Sequence, residues 1–194
     1  MSRLPDPKPD AAPDSASAEA NRWPHGCLQV YTGDGKGKTT AALGLALRAA
    51  GAGMHVYIAQ FMKGRDYSEL HALRRLSPGI EVRRFGLRHF LVGVPTEEDR
   101  AVARSGLEAA REVLVAGNHD LVILDEANVA VDMGLFAVDD LLAVVDARPC
   151  AVELVVTGRK AHPRLIERAD LVTEMREIKH YYRCGLPART GIEE

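Results

Sequence analysis

The residues best suited to chemistry lie in one short segment, residues 32–40, with the sequence TGDGKGKTT. Its last part, Gly37-Lys38-Thr39, matches the end of the Walker A pattern G-x-x-x-x-G-K-[ST], whereas Thr32 stands where that pattern has its first glycine. Glycines let successive backbone N–H groups turn around an anion, and the start of a helix adds a partial positive charge. The segment therefore predicts a phosphate-binding P-loop.

The polar side chains of this loop have distinct expected tasks. Lys38 supplies a full positive charge to the phosphates, and the Thr39 hydroxyl is suited to join the coordination shell of Mg²⁺ or Mn²⁺. Lys36 is a second cation with two open interpretations, a solvated side chain or extra charge for a triphosphate. The predicted nucleotide-binding residues are Gly33, Asp34, Gly35, Lys36, Gly37, Lys38, Thr39, Thr40 and Arg159.

A second motif follows an apolar run in the middle of the chain. Residues 121–124 read LVIL, and Asp125 and Glu126 come directly after them. In P-loop proteins an acid at this position, the Walker B acid, lies beside the loop and holds Mg²⁺ directly or through water. We therefore predict a metal site made of Thr39, Asp125 and Glu126. The predicted catalytic residues are Lys38, Thr39 and Glu126, and Glu126 has an alternative role in positioning a water molecule for hydrolysis.

Basic residues at two further places have open roles. Arg159 follows another apolar run and is either a ligand of phosphates or of a carboxylate, or an exposed loop cation. A second basic group surrounds residues 80–85, for which a solvated surface is the default interpretation and an anionic or amide-rich ligand the alternative. This group consists of Arg83, Arg84, Arg88 and His89.

Alternating apolar runs and amphipathic segments surround these motifs. Strands are predicted at residues 27–31, 55–61, 80–85, 120–125, 152–157 and 171–175, and helices at residues 38–50, 67–76, 96–116, 138–146 and 163–168. This alternation is typical of a mainly parallel sheet of about six strands covered on both faces, here a three-layer, RecA-like α/β fold of the P-loop NTPase kind. Right-handed crossovers place the loops after the strands at one edge, so the motifs are expected to share one site.

Composition indicates one domain, residues 25–194, after an arm of residues 1–24 that is rich in Pro, Ala, Asp and Ser. The arm is expected to be disordered or to order over a ligand. A net charge of −2 argues against bulk binding of nucleic acid or an anionic membrane. No apolar run is long enough to span a bilayer, and no signal-peptide pattern begins the chain. Three scattered cysteines without a C-x-x-C motif fit a reducing cytoplasm.

Several segments together resemble one known family, the P-loop ATP:corrinoid adenosyltransferases of the cob(I)yrinic acid a,c-diamide and cob(I)alamin type. The resemblance covers nearly everything from about Gly26 onward, and five segments in order make it specific. These are residues 31–42, 60–64, 124–128, 156–159 and the tail 169–193.

The resemblance implies a particular use of the loop. Members transfer the 5′-deoxyadenosyl group of ATP to the cobalt of a reduced cob(I) corrinoid, and the whole triphosphate leaves. The nucleotide is understood to lie reversed in the P-loop. Such a leaving group needs concentrated positive charge, which Lys36, Lys38, Mg²⁺ and aligned N–H groups supply. The reduced cobalt is the nucleophile, so no protein nucleophile is required. The resemblance also implies a homodimer and an electron-donating reductase.

One segment departs from the family. Members commonly carry a Phe- and Trp-containing segment after the third strand, whose aromatic rings cover the lower face of the corrin. The corresponding residues 85–98 contain no Trp. Phe90 and Arg88 are the predicted corrinoid-contacting residues in that region.

Two functions from other classes stay open on the sequence alone. A RecA-like P-loop ATPase would use Asp125 and Glu126 as a water-activating pair. A small-molecule kinase would use Arg159 as a phosphate clamp. Both would form ADP from ATP, whereas an adenosyltransferase would release triphosphate.

Overall fold

The structure, a computed structural model, describes residues 24–64, 67–87 and 93–193. Apart from Pro24, the predicted N-terminal arm lies outside the described residues. The same holds for three members of the basic and corrinoid-contacting groups, Arg88, His89 and Phe90.

Six parallel strands form one sheet in the spatial order β3-β2-β4-β5-β1-β6. The strands are β1 (Leu28–Thr32), β2 (Val56–Phe61), β3 (Ile80–Phe85), β4 (Leu121–Asp125), β5 (Glu153–Thr157) and β6 (Leu171–Glu174). The two apolar runs of β4 and β5 occupy the middle of the sheet and are almost wholly buried, as strands covered on both faces must be. The predicted α/β fold with a parallel six-stranded sheet is confirmed.

In the described parts of the chain, six α-helices cover the sheet. They are α1 (Lys38–Gly51), α2 (Ser68–Leu73), α3 (Glu97–Ala116), α4 (Ala127–Asp132), α5 (Val138–Asp146) and α6 (Pro163–Arg168). Residues of α1 and α2 pack with one face of the sheet, and those of α3 to α6 pack with the other. The three-layer arrangement therefore gives each face of the sheet its own apolar core.

The longest helix shows why the element bounds could be predicted. Thr96 caps α3 by accepting from the Asp99 N–H at 3.2 Å, and the Asp99 carboxylate accepts from the Thr96 N–H at 2.9 Å. Three acidic residues occupy its first turn, where they suit the helix dipole. Gly117, at φ 65°, ends it.

Two α-helical elements differ from their prediction by more than one residue at an end. The helix expected at residues 67–76 is α2 followed by one turn of 3₁₀ helix, Arg74–Leu76. Helix α4 was not predicted, because its six residues are shorter than the period needed to show an apolar face. It matters for the site, since it starts directly after the two acids at the end of β4.

Candidate nucleotide site

The predicted P-loop connects β1 to the first turn of α1. Gly33 and Gly37 adopt the left-handed region at φ 91° and 114°, which lets the backbone turn sharply before the helix begins at Lys38. No side chain caps this helix start. The loop and the helix end therefore present backbone N–H groups without a competing side-chain acceptor at the cap.

Lys38 lies inside the loop. Its side chain donates to the carbonyl oxygens of Gly33 at 2.6 Å and Gly35 at 2.7 Å, and the residue is only 6% exposed. Burial lowers the pKa of its ammonium group, and the nearby charge of Arg159 acts in the same direction. A buried ammonium held by two neutral carbonyls would gain strongly from an anionic partner.

Asp125 is the centre of the polar contacts at this edge of the sheet. One carboxylate oxygen accepts from the hydroxyls of Thr39 at 2.9 Å and Thr157 at 2.7 Å. The other accepts from the ammonium of Lys63 at 2.9 Å and the amide of Gln60 at 3.3 Å. Four donors thus hold a carboxylate that is 1% exposed, and the hydroxyl of the P-loop is one of them.

Strand order explains how these groups meet. Strand β5 lies between β1, which leads into the P-loop, and β4, which ends at Asp125. Thr157 at the end of β5 therefore sits between the two motifs, where it also accepts from the backbone N–H of Glu126 at 3.0 Å. The Thr157 hydroxyl therefore joins the Asp125 carboxylate to the backbone of Glu126, while the Thr39 hydroxyl joins the P-loop to the same carboxylate.

Glu126 leaves the sheet in the left-handed region, at φ 64°, and α4 follows it. Burial raises the pKa of its carboxyl group, and the neighbouring charge of Asp125 raises it further. Lys63, Lys38 and Arg159 oppose this shift. Two acids thus share one edge of the sheet, and cations surround them.

Lys63 is a site residue for which the sequence analysis predicted no role. Burial alone would lower the pKa of its ammonium group, but the charge and hydrogen bond of Asp125, together with Glu69, outweigh burial and raise it. The Tyr67 ring lies 5.4 Å from the ammonium nitrogen. Lys63 is therefore a stable cation at the Walker B acid.

Arg159 follows β5 on the same side of the sheet. It is exposed, and the preceding Gly158 carbonyl accepts from the buried side-chain amide of Asn128 at 3.0 Å. Because its charge acts on both Lys38 and Glu126, it lies near both motifs.

Lys36, the second loop lysine, points to the end of the chain. Its ammonium lies 2.7 Å from the Tyr181 hydroxyl and 2.7 Å from a Glu193 carboxylate oxygen. Arg83, from the other basic group, pairs instead with Glu81 at 2.8 Å, away from the loop. Lys36 is exposed and pairs with the chain's last segment, so both interpretations of this lysine, a solvated side chain or extra charge for a triphosphate, stay open.

A pocket of about 560 Å³ opens beside the loop. This volume falls within the range of about 300–1,000 Å³ that is usual for small-molecule sites. Its lining consists of Thr39, Thr40, Leu43, Lys63, Tyr67, Ser68, Glu69, Glu126, Gly191, Ile192 and Glu193. A second pocket of similar volume, between α2 and β3, is lined by Arg84 of the basic group but by none of the predicted nucleotide-binding, metal or catalytic residues.

The structure thus brings most predicted site residues together and adds several. Thr39, Thr40 and Glu126 line the pocket, and Lys38 and Asp125 lie buried behind them. The added residues are Gln60, Lys63, Thr157, Tyr181 and Glu193. Among the described residues, no group of three or more His, Cys, Asp or Glu side chains is arranged to hold a metal ion alone. No described helix is both long and apolar enough to cross a membrane.

Fold and site together define the class: a P-loop nucleotide-binding α/β protein with a variant Walker A loop and a Walker B acid. The particular family follows from comparison with known proteins. The sequence profile of the family described as ATP:corrinoid adenosyltransferase BtuR/CobO/CobP matches residues 24–193. The chain belongs to this enzyme family, as the resemblance of its five segments predicted.

Named relatives agree with the profile. The corrinoid adenosyltransferase of Pseudomonas aeruginosa is 38% identical over 184 residues, covering 94% of this chain and 90% of the relative. The corrinoid adenosyltransferase of Escherichia coli is 33% identical over 174 residues, covering 87% and 85%. The corrinoid adenosyltransferase CobA of Salmonella typhimurium is 32% identical over 174 residues with the same coverage. The two alternatives, an ATPase and a small-molecule kinase, are not favoured.

Proposed function

We propose that the P-loop of this enzyme holds the triphosphate of ATP as a leaving group while a reduced corrinoid takes the 5′-deoxyadenosyl group. The observation that carries the proposal is the placement of three ammonium groups around one pocket. Lys38 lies within the loop, Lys63 lines the pocket, and Lys36 reaches its wall through Glu193. A departing triphosphate carries several negative charges, and cations of this kind stabilise them as they develop.

The transfer of the 5′-deoxyadenosyl group needs no nucleophile from the protein. The cob(I) centre of the corrinoid supplies an electron pair, a cobalt–carbon bond forms at C5′, and the bond from C5′ to the phosphate oxygen breaks. The triphosphate leaves with the electron pair of the broken C–O bond, and the cobalt becomes formally Co(III). The protein's task is to bind, orient and neutralise, which suits a site whose described residues are lysines, hydroxyls and acids rather than an activated nucleophile.

Lys38 and Thr39 carry the central roles in this proposal. The Lys38 ammonium now donates to two loop carbonyls, and phosphate oxygens would replace these neutral acceptors with charged ones. Arg159 adds an exposed cation near the same motifs. Backbone N–H groups at Gly33 and Gly37 would complete the cradle, whereas the Gly35 N–H already donates to the Met175 carbonyl.

The residues present fit Mg²⁺, or Mn²⁺ in its place. The hydroxyl of Thr39 and one oxygen of Asp125 lie 2.9 Å apart, and both are the hard oxygen ligands such ions prefer. Glu126 stands next to them, while Lys63 takes the other oxygen of Asp125. Bound there, the ion would supply Lewis-acid stabilisation of the phosphate charge.

The contacts of the corrinoid itself are proposed from the family resemblance alone. Phe90 and Arg88 remain its proposed contacts, although both lie outside the described residues. We further propose that a separate reductase supplies the electron and that the enzyme works as a homodimer. Family membership supports these last two proposals.

Product analysis tests the proposed function. The enzyme is incubated with ATP, Mg²⁺ and chemically reduced cob(I)alamin, and phosphorus NMR identifies the phosphate product. We expect inorganic triphosphate in equal amount to the adenosylated corrinoid, which is followed by its absorbance. Formation of ADP, with phosphate or a phosphorylated acceptor, would contradict the proposal. Heat-treated enzyme controls for direct reaction between cob(I) and ATP.

A further inference from the structure

The segment after β6, residues 175–193, returns to the P-loop and is called here the C-terminal tail. Its first contact is through the backbone: the Gly35 N–H donates to the Met175 carbonyl at 2.7 Å, and the Met175 N–H donates to the Thr32 carbonyl at 2.8 Å. The loop and the start of the tail therefore run together as an extension of the β1–β6 pairing.

A second contact joins Lys36 to tail residues that lie 6 and 18 positions after Met175. The Lys36 ammonium nitrogen is 2.7 Å from both the Tyr181 hydroxyl and Glu193 Oε1, and it is 5.3 Å from the centre of the Tyr181 ring. The Tyr181 hydroxyl also donates to Glu193. The ammonium group of one P-loop lysine thus contacts two tail residues that are 12 positions apart in the sequence.

Glu193 receives more donors than a surface carboxylate usually finds. Besides Lys36 and Tyr181, Arg189 donates to it from its backbone N–H at 2.9 Å and from its guanidinium at 3.2 and 3.3 Å. Hydrogen bonds from Arg189, Lys36 and Tyr181 hold the pKa of this carboxyl well below its usual range. Its side chain is 15% exposed in a tail whose neighbouring residues are mostly exposed.

These contacts place the end of the tail in the nucleotide pocket. Gly191, Ile192 and Glu193 form one wall, and Thr39, Thr40 and Leu43 of α1 form part of the lining beside them. The contact between Lys36 and Glu193 therefore joins the phosphate loop to a wall of the pocket that the loop serves.

We propose that the C-terminal tail is a working part of the nucleotide site and that Glu193 is its positioning residue. By pairing with Lys36, Glu193 holds the wall of Gly191 and Ile192 against the pocket, so that the wall contacts bound ATP. This inference rests on the proposed function, because it assumes that the pocket beside the loop is the ATP site. The opposite arrangement, in which Glu193 competes with phosphate for Lys36, predicts effects of opposite sign.

Equilibrium binding of ATP separates the two arrangements. We compare wild type with Glu193→Gln, Lys36→Met and the double variant, using equilibrium dialysis with ATP and Mg²⁺ and no corrinoid. If Glu193 positions the wall, Glu193→Gln binds ATP about tenfold more weakly, since a charge-assisted pair is lost. The double variant should bind no more weakly than Lys36→Met alone, because the pair is already broken there. Unchanged or tighter binding by Glu193→Gln, or additive losses, would overturn the proposal.

Two further readouts distinguish positioning from a general loss of structure. Glu193→Gln should raise the KM for ATP about tenfold while kcat stays within about twofold, and Glu193→Asp, which keeps the charge, should recover part of the loss. ATP should slow tryptic cleavage after the exposed Arg183 in wild type and fail to do so in Glu193→Gln. A tenfold fall in kcat with an unchanged KM for ATP would contradict the proposal.

A matched control and a separate criterion complete the design. Asp146→Asn removes a carboxylate from an exposed ion pair with Arg168, far from the loop, and should leave ATP binding unchanged. If wild type binds ATP but forms ADP in place of triphosphate, the proposed function fails. The dialysis comparison still tests Glu193 in that case, since it measures binding without any reaction.

Discussion

The site has an inner half at the ends of the central strands and an outer half at the C-terminal tail. Each half contains a pair of a lysine and a carboxylate, and the two pairs differ in burial. In the inner half, Lys63 pairs with Asp125, and their side chains are 15% and 1% exposed. In the outer half, Lys36 pairs with Glu193, with side chains 41% and 15% exposed. The inner pair is held by the ends of the central strands, whereas the outer pair is held by the tail.

The difference in burial decides what each pair contributes. Removing one partner of a buried pair leaves an uncompensated charge and costs about 3–5 kcal/mol. Exposed pairs contribute about 0–1 kcal/mol to stability because water and salt screen them. We therefore expect substitutions in the inner half to lower both the free energy of unfolding and the rate of the reaction. Substitutions in the outer half should chiefly weaken ATP binding.

The largest effect is expected from the inner half, at Lys38. Lys38→Met should lower kcat/KM for ATP about 100-fold or more, because a buried ammonium at the phosphate loop is lost where charge develops. Steady-state formation of adenosylated corrinoid measures this effect, and thermal unfolding shows whether the variant is folded. Lys160→Met, which removes an exposed ammonium paired with Asp132, serves as the control and should change kcat/KM less than about twofold. A loss below about fivefold in Lys38→Met would mean that the ammonium does not contact the phosphates.

Asp125→Asn tests whether the inner pair stabilises the fold. It should lower the free energy of unfolding by about 3 kcal/mol, because the mostly buried Lys63 ammonium keeps only its longer contact with Glu69 at 3.4 Å. Urea unfolding measures the change. The double variant Lys63→Met/Asp125→Asn should regain part of that loss, and Asp146→Asn should cost less than about 1 kcal/mol. Equal losses in Asp125→Asn and Asp146→Asn would remove the distinction between the two halves.

Thr157→Val tests the buried hydroxyl that joins the Asp125 carboxylate to the backbone of Glu126. The change preserves shape, but it removes one donor to Asp125 and leaves the Glu126 N–H without its acceptor. We expect a loss of about 1–2 kcal/mol in unfolding free energy and a higher Mg²⁺ concentration for half-maximal activity. Thr157→Ser keeps the hydroxyl and should restore the Mg²⁺ dependence. An unchanged Mg²⁺ requirement in Thr157→Val would show that this hydroxyl does not organise the metal site.

The smallest effect is expected from the outer half, at Tyr181. Tyr181→Phe removes the hydroxyl that contacts Lys36 and Glu193 but keeps the ring beside Lys36 and Arg189. The KM for ATP should rise about two- to threefold, and the unfolding free energy should change by less than about 0.5 kcal/mol. Initial rates at varied ATP measure the first and urea unfolding the second. A stability loss above about 2 kcal/mol would place Tyr181 among the residues that hold the fold.

The P-loop and Asp125, which belong to the inner half, could be predicted from local sequence patterns. The P-loop has glycines and Gly37-Lys38-Thr39 between a strand and a helix, and Asp125 follows an uninterrupted apolar strand. These signals span fewer than ten residues each, so they are visible without the fold. The bounds of β3, α5 and α6 were also predicted as the structure has them.

The contacts that sequence reasoning missed depend on strand order and distance along the chain. Thr157 meets Asp125 only because β5 lies between β1 and β4, which no local pattern reveals. Lys36 and Glu193 are 157 positions apart. Gln60 and Lys63 did lie in a segment shared with the family, after β2, and that shared position at a strand end was the available signal for their roles.

The glycines of the P-loop change how a map of tolerated substitutions should be interpreted. A Cβ at Gly33 would lie 2.4 Å from the Met175 carbonyl oxygen, and one at Gly35 would lie 2.8 Å from the same atom. Substitutions at both positions would therefore push the tail off the loop, even if no phosphate were bound. In a screen that scores cellular abundance as well as activity, substitutions at Gly33 and Gly35 should lower both abundance and activity. The poor tolerance of substitutions at these glycines would then reflect packing against the tail. Only positions at which substitutions lower activity but leave abundance unchanged would indicate contacts with the nucleotide.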